Sequence, residues 1–102
     1  MDTEAWRKGC DIEELADGAR LVEIARRKVV IMKAGDRLFA FNDLCAHSGG
    51  PMHRAEVEGT VLTCPLHGWR FDLARDGEEL HGFRPLAVYP VRQSGDSVEV
   101  FL

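Results

Sequence analysis

The chain has 102 residues, 13 basic and 17 acidic side chains, a formal net charge of −4 and 45% hydrophobic residues. That length supports one domain with one modest core, so residues 1–102 are read as a single domain, and demanding chemistry falls to a cofactor or a partner. The cations are scattered apart from the run Arg26, Arg27, Lys28, and no apolar run approaches the roughly 20 residues of a membrane span, so neither nucleic acid nor membrane is expected as a partner.

The opening "MDTEAWRKGC" lacks the apolar core of a signal segment, so a soluble, cytoplasmic monomer is expected. Three cysteines in such a chain argue against a disulfide framework and for a metal site or a reactive thiol. "DIEELADG" is the one helical candidate, a turn or so, with Asp11 as cap and Gly18 as stop. Short runs with β-branched and aromatic residues follow: Ala19 to Ala25, Lys28 to Ala34 and Arg37 to Asn42, with Gly35-Asp36 as a tight turn between the last two. After the middle of the chain, "PLAVYPV" (Pro85 to Val91) and "SVEVFL" (Ser97 to Leu102) flank Ser94-Gly95-Asp96 as a second hairpin. Alternation puts Val98, Val100 and Leu102 on one face. The pattern reads as an all-β sandwich or barrel, without internal repeats.

Two loops interrupt it. "CAHSGGP" follows the strand ending near Asn42, and "CPLHGW" follows the apolar run Thr60 to Thr63, so each stands just past a strand end. Each supplies one sulfur and one imidazole: Cys45 and His47 from the first, Cys64 and His67 from the second, with sixteen residues between the pairs. Gly49, Gly50 and Gly68 allow backbone conformations in which amides turn toward an anionic centre. A single zinc ion accepts any mixture of two thiolates and two imidazoles, so composition leaves it open. Structural zinc sites commonly pair Cys with Cys and His with His, however, and a Cys-x-His half is unusual there. A two-iron cluster explains the mixture better, with Cys45 and Cys64 on one iron and His47 and His67 on the other.

Those residues, Cys45-Ala46-His47-Ser48-Gly49 and Cys64-Pro65-Leu66-His67-Gly68-Trp69 with Phe71-Asp72 and Gly77 behind them, resemble the Rieske 2Fe-2S proteins of the small soluble ferredoxin type. The resemblance covers most of the chain. It implies a Rieske-type antiparallel β-sandwich, with a base at about 1–42 and 83–102 and an inserted cluster-binding subdomain at about 43–82. It implies one 2Fe-2S cluster held by Cys45, His47, Cys64 and His67. It also implies a one-electron carrier that catalyses nothing alone, taking electrons from a flavin-dependent NAD(P)H reductase to a terminal oxygenase, such as an aromatic-ring dioxygenase. The small Rieske subunit of a nitrite reductase is an alternative of similar length, and a zinc-stabilised interaction module is a third. The acidic balance fits docking to a basic reductase surface.

Departures from the family refine this expectation. Rieske proteins of respiratory bc complexes carry an extra cysteine in each box, which together form a disulfide; Gly50 and Leu66 stand there instead. Trp69 and Phe71 replace a serine and a tyrosine whose hydroxyls bond to sulfur, so the extra electron is less stabilised and a potential below zero is expected. The resemblance further places His47 and His67 toward the surface as the electron port, and because both imidazoles can lose a proton, linkage predicts that reduction is coupled to proton uptake at alkaline pH. His53 and His81 are read as surface or loop residues, with a place for His53 at the border of the cluster as the alternative, and Cys10 is read as a spare thiol. Trp69, Phe71 and Phe83 are read as packing that covers the pocket, and Pro51, Pro65 and Pro85 as stiffeners of the loops.

Overall fold

Val29 to Met32 are four consecutive apolar residues, and a strand buries such a run only when both faces of its sheet are covered. The computed structural model describes residues 4–45, 51–66 and 68–102 and has this arrangement. The first strands in chain order are β1 (Trp6–Asp11), β2 (Ala19–Ile24), β3 (Arg27–Ala34), β4 (Arg37–Asn42), β5 (Glu56–Glu58) and β6 (Val61–Thr63). There follow β7 (Arg70–Asp72), β8 (Glu78–Glu79), β9 (Val88–Tyr89), β10 (Val91–Ser94) and β11 (Ser97–Phe101). They form three antiparallel sheets, ordered β1-β11-β10, β2-β3-β4-β9 and β5-β6-β7-β8.

The β2-β3-β4-β9 sheet lies between two cores. Val29 and Ile31 of β3 and Ala40 of β4 face Cys10, Val98, Val100 and Leu102. Val30 and Met32 of β3, with Phe39 and Phe41 of β4, face Leu62, Phe71, Leu73, Leu86 and both Cys45 and Cys64. The strand period of two thus distributes one apolar run between two hydrophobic clusters, and the ligand-bearing loops grow from the second.

The expected strands are present with small shifts of boundary, and Val98, Val100 and Leu102 are buried together as their alternation requires. Gly35 turns the β3–β4 hairpin at φ +61°. "PLAVYPV" is not one strand. Val88–Tyr89 pairs with β4, Val91–Ser94 pairs with β11, and Pro90 lies between them; its nitrogen has no hydrogen to donate, while its carbonyl accepts from Phe101 at 2.9 Å. β1 escaped the sequence reading because Gly9 breaks its pattern and Cys10 is its one buried residue, at a point where the register with β11 shifts. The helical candidate is a 3-10 turn at Ile12–Leu15. Glu14 accepts from the Asp11 amide at 2.7 Å, and Gly18 closes the segment at φ +102°.

Candidate metal centre

The first loop leaves β4 through a stem that one acidic residue closes. The Asn42 side-chain oxygen accepts from the Leu44 amide at 2.9 Å, an Asx turn that bends the chain away from the sheet. The Asp43 amide donates to the Lys28 carbonyl at 3.0 Å, tying the stem to β3. On the far side of the loop the Met52 amide donates to the Asp43 carbonyl at 2.6 Å, and Leu44 bridges Pro51. The Asp43 carboxylate accepts from the His53 amide at 2.7 Å and stands 2.8 Å from its ring Nδ1. Asp43 is buried; its carbonyl and carboxylate hold it to Met52 and His53, and its amide holds it to β3. Cys45, 4% exposed, enters the core directly from this stem, with Met52 buried behind it.

The second loop is closed by its own backbone. The Cys64 amide donates to the Trp69 carbonyl at 2.8 Å, and the Gly68 amide to the Cys64 carbonyl at 3.1 Å, with Gly68 at φ +72°. Cys64 is 1% exposed, while Pro65 and Leu66 stand in solvent. Leu62 and Phe71, opposite each other on β6 and β7, fill the space below. Both thiols, far apart in sequence, therefore enter one apolar cluster, and both are free of disulfides.

His47, Gly49, Gly50 and His67 lie outside the described residues, and among the described residues no group of three ligating side chains comes together. Cys45 and Cys64, two of the four expected donors, lie among the described residues and share one cluster. Two buried sulfurs in an apolar cluster, one from each loop, are soft donors of the kind an iron–sulfur cluster takes, and the apolar walls keep water from them. The residues present fit a 2Fe-2S cluster.

The other candidates are as follows. His53 is part-exposed on Asp43, and His81, more exposed, has its ring Nδ1 3.2 Å from the Glu79 carboxylate, so both are surface histidines as expected. The buried carboxylates beneath them were not anticipated. Glu79 is 1% exposed and also accepts from the amides of His81 and Phe83. Burial opposes its ionisation, but the bonds from His81 and Phe83 and the His81 charge outweigh it and hold the carboxyl below its usual range. A turn-rich "EELHGF" carries the signal that could have found it: an acid followed by a histidine and a glycine within a few residues. Cys10 is buried in the other core, where burial, with Glu14 next, pushes its thiol up; it takes no part here. Trp69 and Phe71 pack on the thiol cluster as expected, but Phe83 does not seal it. Its ring lies on Trp69 at 4.9 Å between centroids and is 59% exposed, because the turn fixed by Glu79 holds it outside. Pro51 opens the Met52–Arg54 turn, and Pro85 lies between β8 and β9.

The profile of the Rieske [2Fe-2S] domain matches residues 5–90. The anthranilate 1,2-dioxygenase ferredoxin subunit of Burkholderia cepacia is 30% identical over 97 residues, covering 93% of this chain and 90% of that one. The methylxanthine N1-demethylase NdmA of Pseudomonas putida is 33% identical over 73 residues, but the match spans 66% of this chain and 21% of the demethylase. Among solved structures, a chain from the complex of reduced oxygenase and oxidised ferredoxin in carbazole 1,9a-dioxygenase superposes with a TM-score of 0.82 at 25% identity, over 94% of this chain and 92% of that one.

Proposed function

This chain belongs to the Rieske [2Fe-2S] domain family, and we propose that it is the ferredoxin of a multicomponent oxygenase system. In this reading it carries single electrons from a flavin-dependent NAD(P)H reductase to a terminal oxygenase of the aromatic-ring dioxygenase kind, as a cytoplasmic monomer. The observation that carries the proposal is the convergence of Cys45 and Cys64, from two separately closed loops, on one apolar cluster. The near full-length match to a dioxygenase ferredoxin subunit supports the choice of system, and the solved oxygenase–ferredoxin complex supports an oxygenase as partner. No helix among the described residues is long and apolar enough to cross a membrane.

The roles follow from the two loops. Cys45 and Cys64 would hold one iron through their thiolates, and His47 and His67 the other through neutral imidazoles. When bound, the cluster supplies reversible one-electron chemistry. Phe71, Met52 and Leu62 exclude water beneath the sulfurs, and the Asp43 stem with the Cys64–Trp69 closure holds the two cysteines in position. In this reading the chain carries electrons and transforms no substrate itself.

Electron paramagnetic resonance of the purified protein, before and after dithionite, tests the proposal. A rhombic signal that appears only on reduction, and disappears with iron in Cys45→Ser and Cys64→Ser, is expected. A colourless, silent protein that holds zinc after anaerobic preparation refutes it.

A further inference from the structure

The net charge of −4 is an average over an uneven surface. The β2–β3 hairpin turns at the same end as the ligand loops, since Val29 lies opposite Asn42 and the Lys28 carbonyl holds the Asp43 amide. Arg26, Arg27 and Lys28 are exposed there, beside the stem of the first loop, and Arg54 is exposed where that loop returns. On the side of the second loop, Arg70 is paired with Thr63 and next to Trp69, and Arg84 follows Phe83, whose ring stacks on Trp69. Among the described residues, none of these six cations is held in an ion pair; the pairs formed use Lys8, Arg20, Arg92 and the two histidines.

The carboxylates near this end do not cancel them. Glu23, across from Lys28, and Glu56, across from Thr63, are exposed, while Asp43 and Glu79 are buried and each is already engaged by a histidine. Asp17, Asp36, Glu58, Asp72, Asp76 and Glu78 belong to the opposite end, at the turns of the β3–β4, β5–β6 and β7–β8 hairpins and near them, mixed with Lys33, Arg37 and Arg75. On the ligand loops themselves and beside them, Leu44, Leu66 and Phe83 are exposed. Apolar side chains with charges around them are the make-up of a protein interface, and cations in two groups on either side of the loops do not follow a single phosphate backbone.

We propose that Arg26, Arg27, Lys28, Arg54, Arg70 and Arg84 form a basic collar that docks a protein electron partner through a carboxylate-rich face. The proposal rests on the electron-carrier reading above. The collar steers an acidic partner face onto the ligand loops, and the exposed leucines and Phe83 then make the close contact. The sign is opposite to the one the whole-chain balance suggests.

Probes of known charge test it on the cluster-loaded protein. In stopped flow the reduced protein gives one electron to hexacyanoferrate(III), forming hexacyanoferrate(II), or to tris(phenanthroline)cobalt(III), forming the cobalt(II) complex. The collar predicts that the rate with the anion falls at least about threefold between about 20 and 500 mM salt, as the screening length shrinks well below 10 Å, while the rate with the cation rises. Arg27→Glu with Lys28→Glu should flatten or reverse both slopes, and Arg75→Glu at the opposite end should leave them unchanged. A rate with the anion that rises with salt in the unmodified protein overturns the collar.

Calorimetric titration with poly-L-glutamate gives a readout independent of redox chemistry. Binding at low salt that is lost in the Arg27→Glu, Lys28→Glu variant supports the collar, and its absence in the unmodified protein overturns it. Tighter binding of a single-stranded oligothymidylate, lost in the same variant, overturns the choice of a protein partner. A protein that takes up no electron reversibly defeats the carrier reading instead, and the poly-L-glutamate titration then decides the collar alone.

Discussion

Glu79 and Asp43 are buried carboxylates, and each holds a segment that borders a ligand loop. Asp43 joins the two ends of the first loop; Glu79 fixes the turn that lays Phe83 on Trp69, whose carbonyl closes the second. Because the Glu79 carboxyl is held below its ordinary value of 4.5, the folded state favours the ionised form. Its contribution is therefore fully present above that value and is lost as pH falls through the lower, folded one. Glu79→Gln removes the charge and keeps one acceptor oxygen. Urea midpoints should be lower for the variant than for the parent between about pH 6 and about 5, and the margin should narrow below about pH 4.5. A margin that stays the same or widens on acidification would show that the carboxylate charge is not what stabilises this turn. Cys10 illustrates the reverse case: a buried thiol whose surroundings disfavour the thiolate is packing, which is why one of the three cysteines has no partner in chemistry.

Among the elements, the link between the β5-β6-β7-β8 sheet and the rest runs through Gly77. Its amide donates to the Asp72 carbonyl and its carbonyl accepts from the Leu86 amide, each at 2.9 Å. Its φ is +79°, and a Cβ added there would lie 2.5 Å from the Leu86 carbonyl oxygen. Gly77→Ala combines left-handed strain with a backbone clash and should cost about 2–4 kcal/mol in chemical denaturation. A loss under about 1 kcal/mol would mean that the segment before β9 yields easily. The β2–β3 turn makes a contrasting point. Ala25 and Arg26 sit at φ +50° and +66°, the geometry of a type I′ turn without the glycine or asparagine that favours it. Ala25→Asn should therefore raise stability, by roughly 0.5–1 kcal/mol, seen as a higher melting temperature. An unchanged or lower melting temperature would indicate that the turn is held by contacts the alanine makes.

For the molecule as a whole, the electron's stabilisation depends on what surrounds the sulfurs. Phe71 is fully buried and Trp69 packs on the same cluster, and neither has a hydroxyl to donate. Rieske potentials span roughly −150 to +300 mV, with hydrogen bonds to sulfur among the levers that set the value. A reductive titration should place this protein below zero, toward the lower end. Phe71→Tyr should shift the potential upward if the new hydroxyl reaches a sulfur, and a strongly positive value in the parent would remove the argument from missing hydroxyls. The layered arrangement serves the same end, because the β2-β3-β4-β9 sheet provides a rigid apolar floor on which two short closed loops can be held.

The residues of the two boxes and their spacing are local facts, and with the strand pattern around them they carried the resemblance to the family that the domain match then showed. The strands were legible where alternation or β-branched runs were strong, as in Arg37–Asn42 and Ser97–Phe101, because a strand's faces are set by a period of two that needs no partner to be read. β1 was hidden by Gly9, and the break in "PLAVYPV" had a local signal in Pro90, which cannot donate to a ladder; nothing local distinguished the two cores served by Val29 to Met32, since each depends on which sheet covers which face. The burial of Asp43 and Glu79 and the gathering of Arg26, Arg54, Arg70 and Arg84 at one end were likewise decided by tertiary structure. Burial and charge proximity are properties of residues brought together from distant parts of the chain, and a sequence records only those that are neighbours along it.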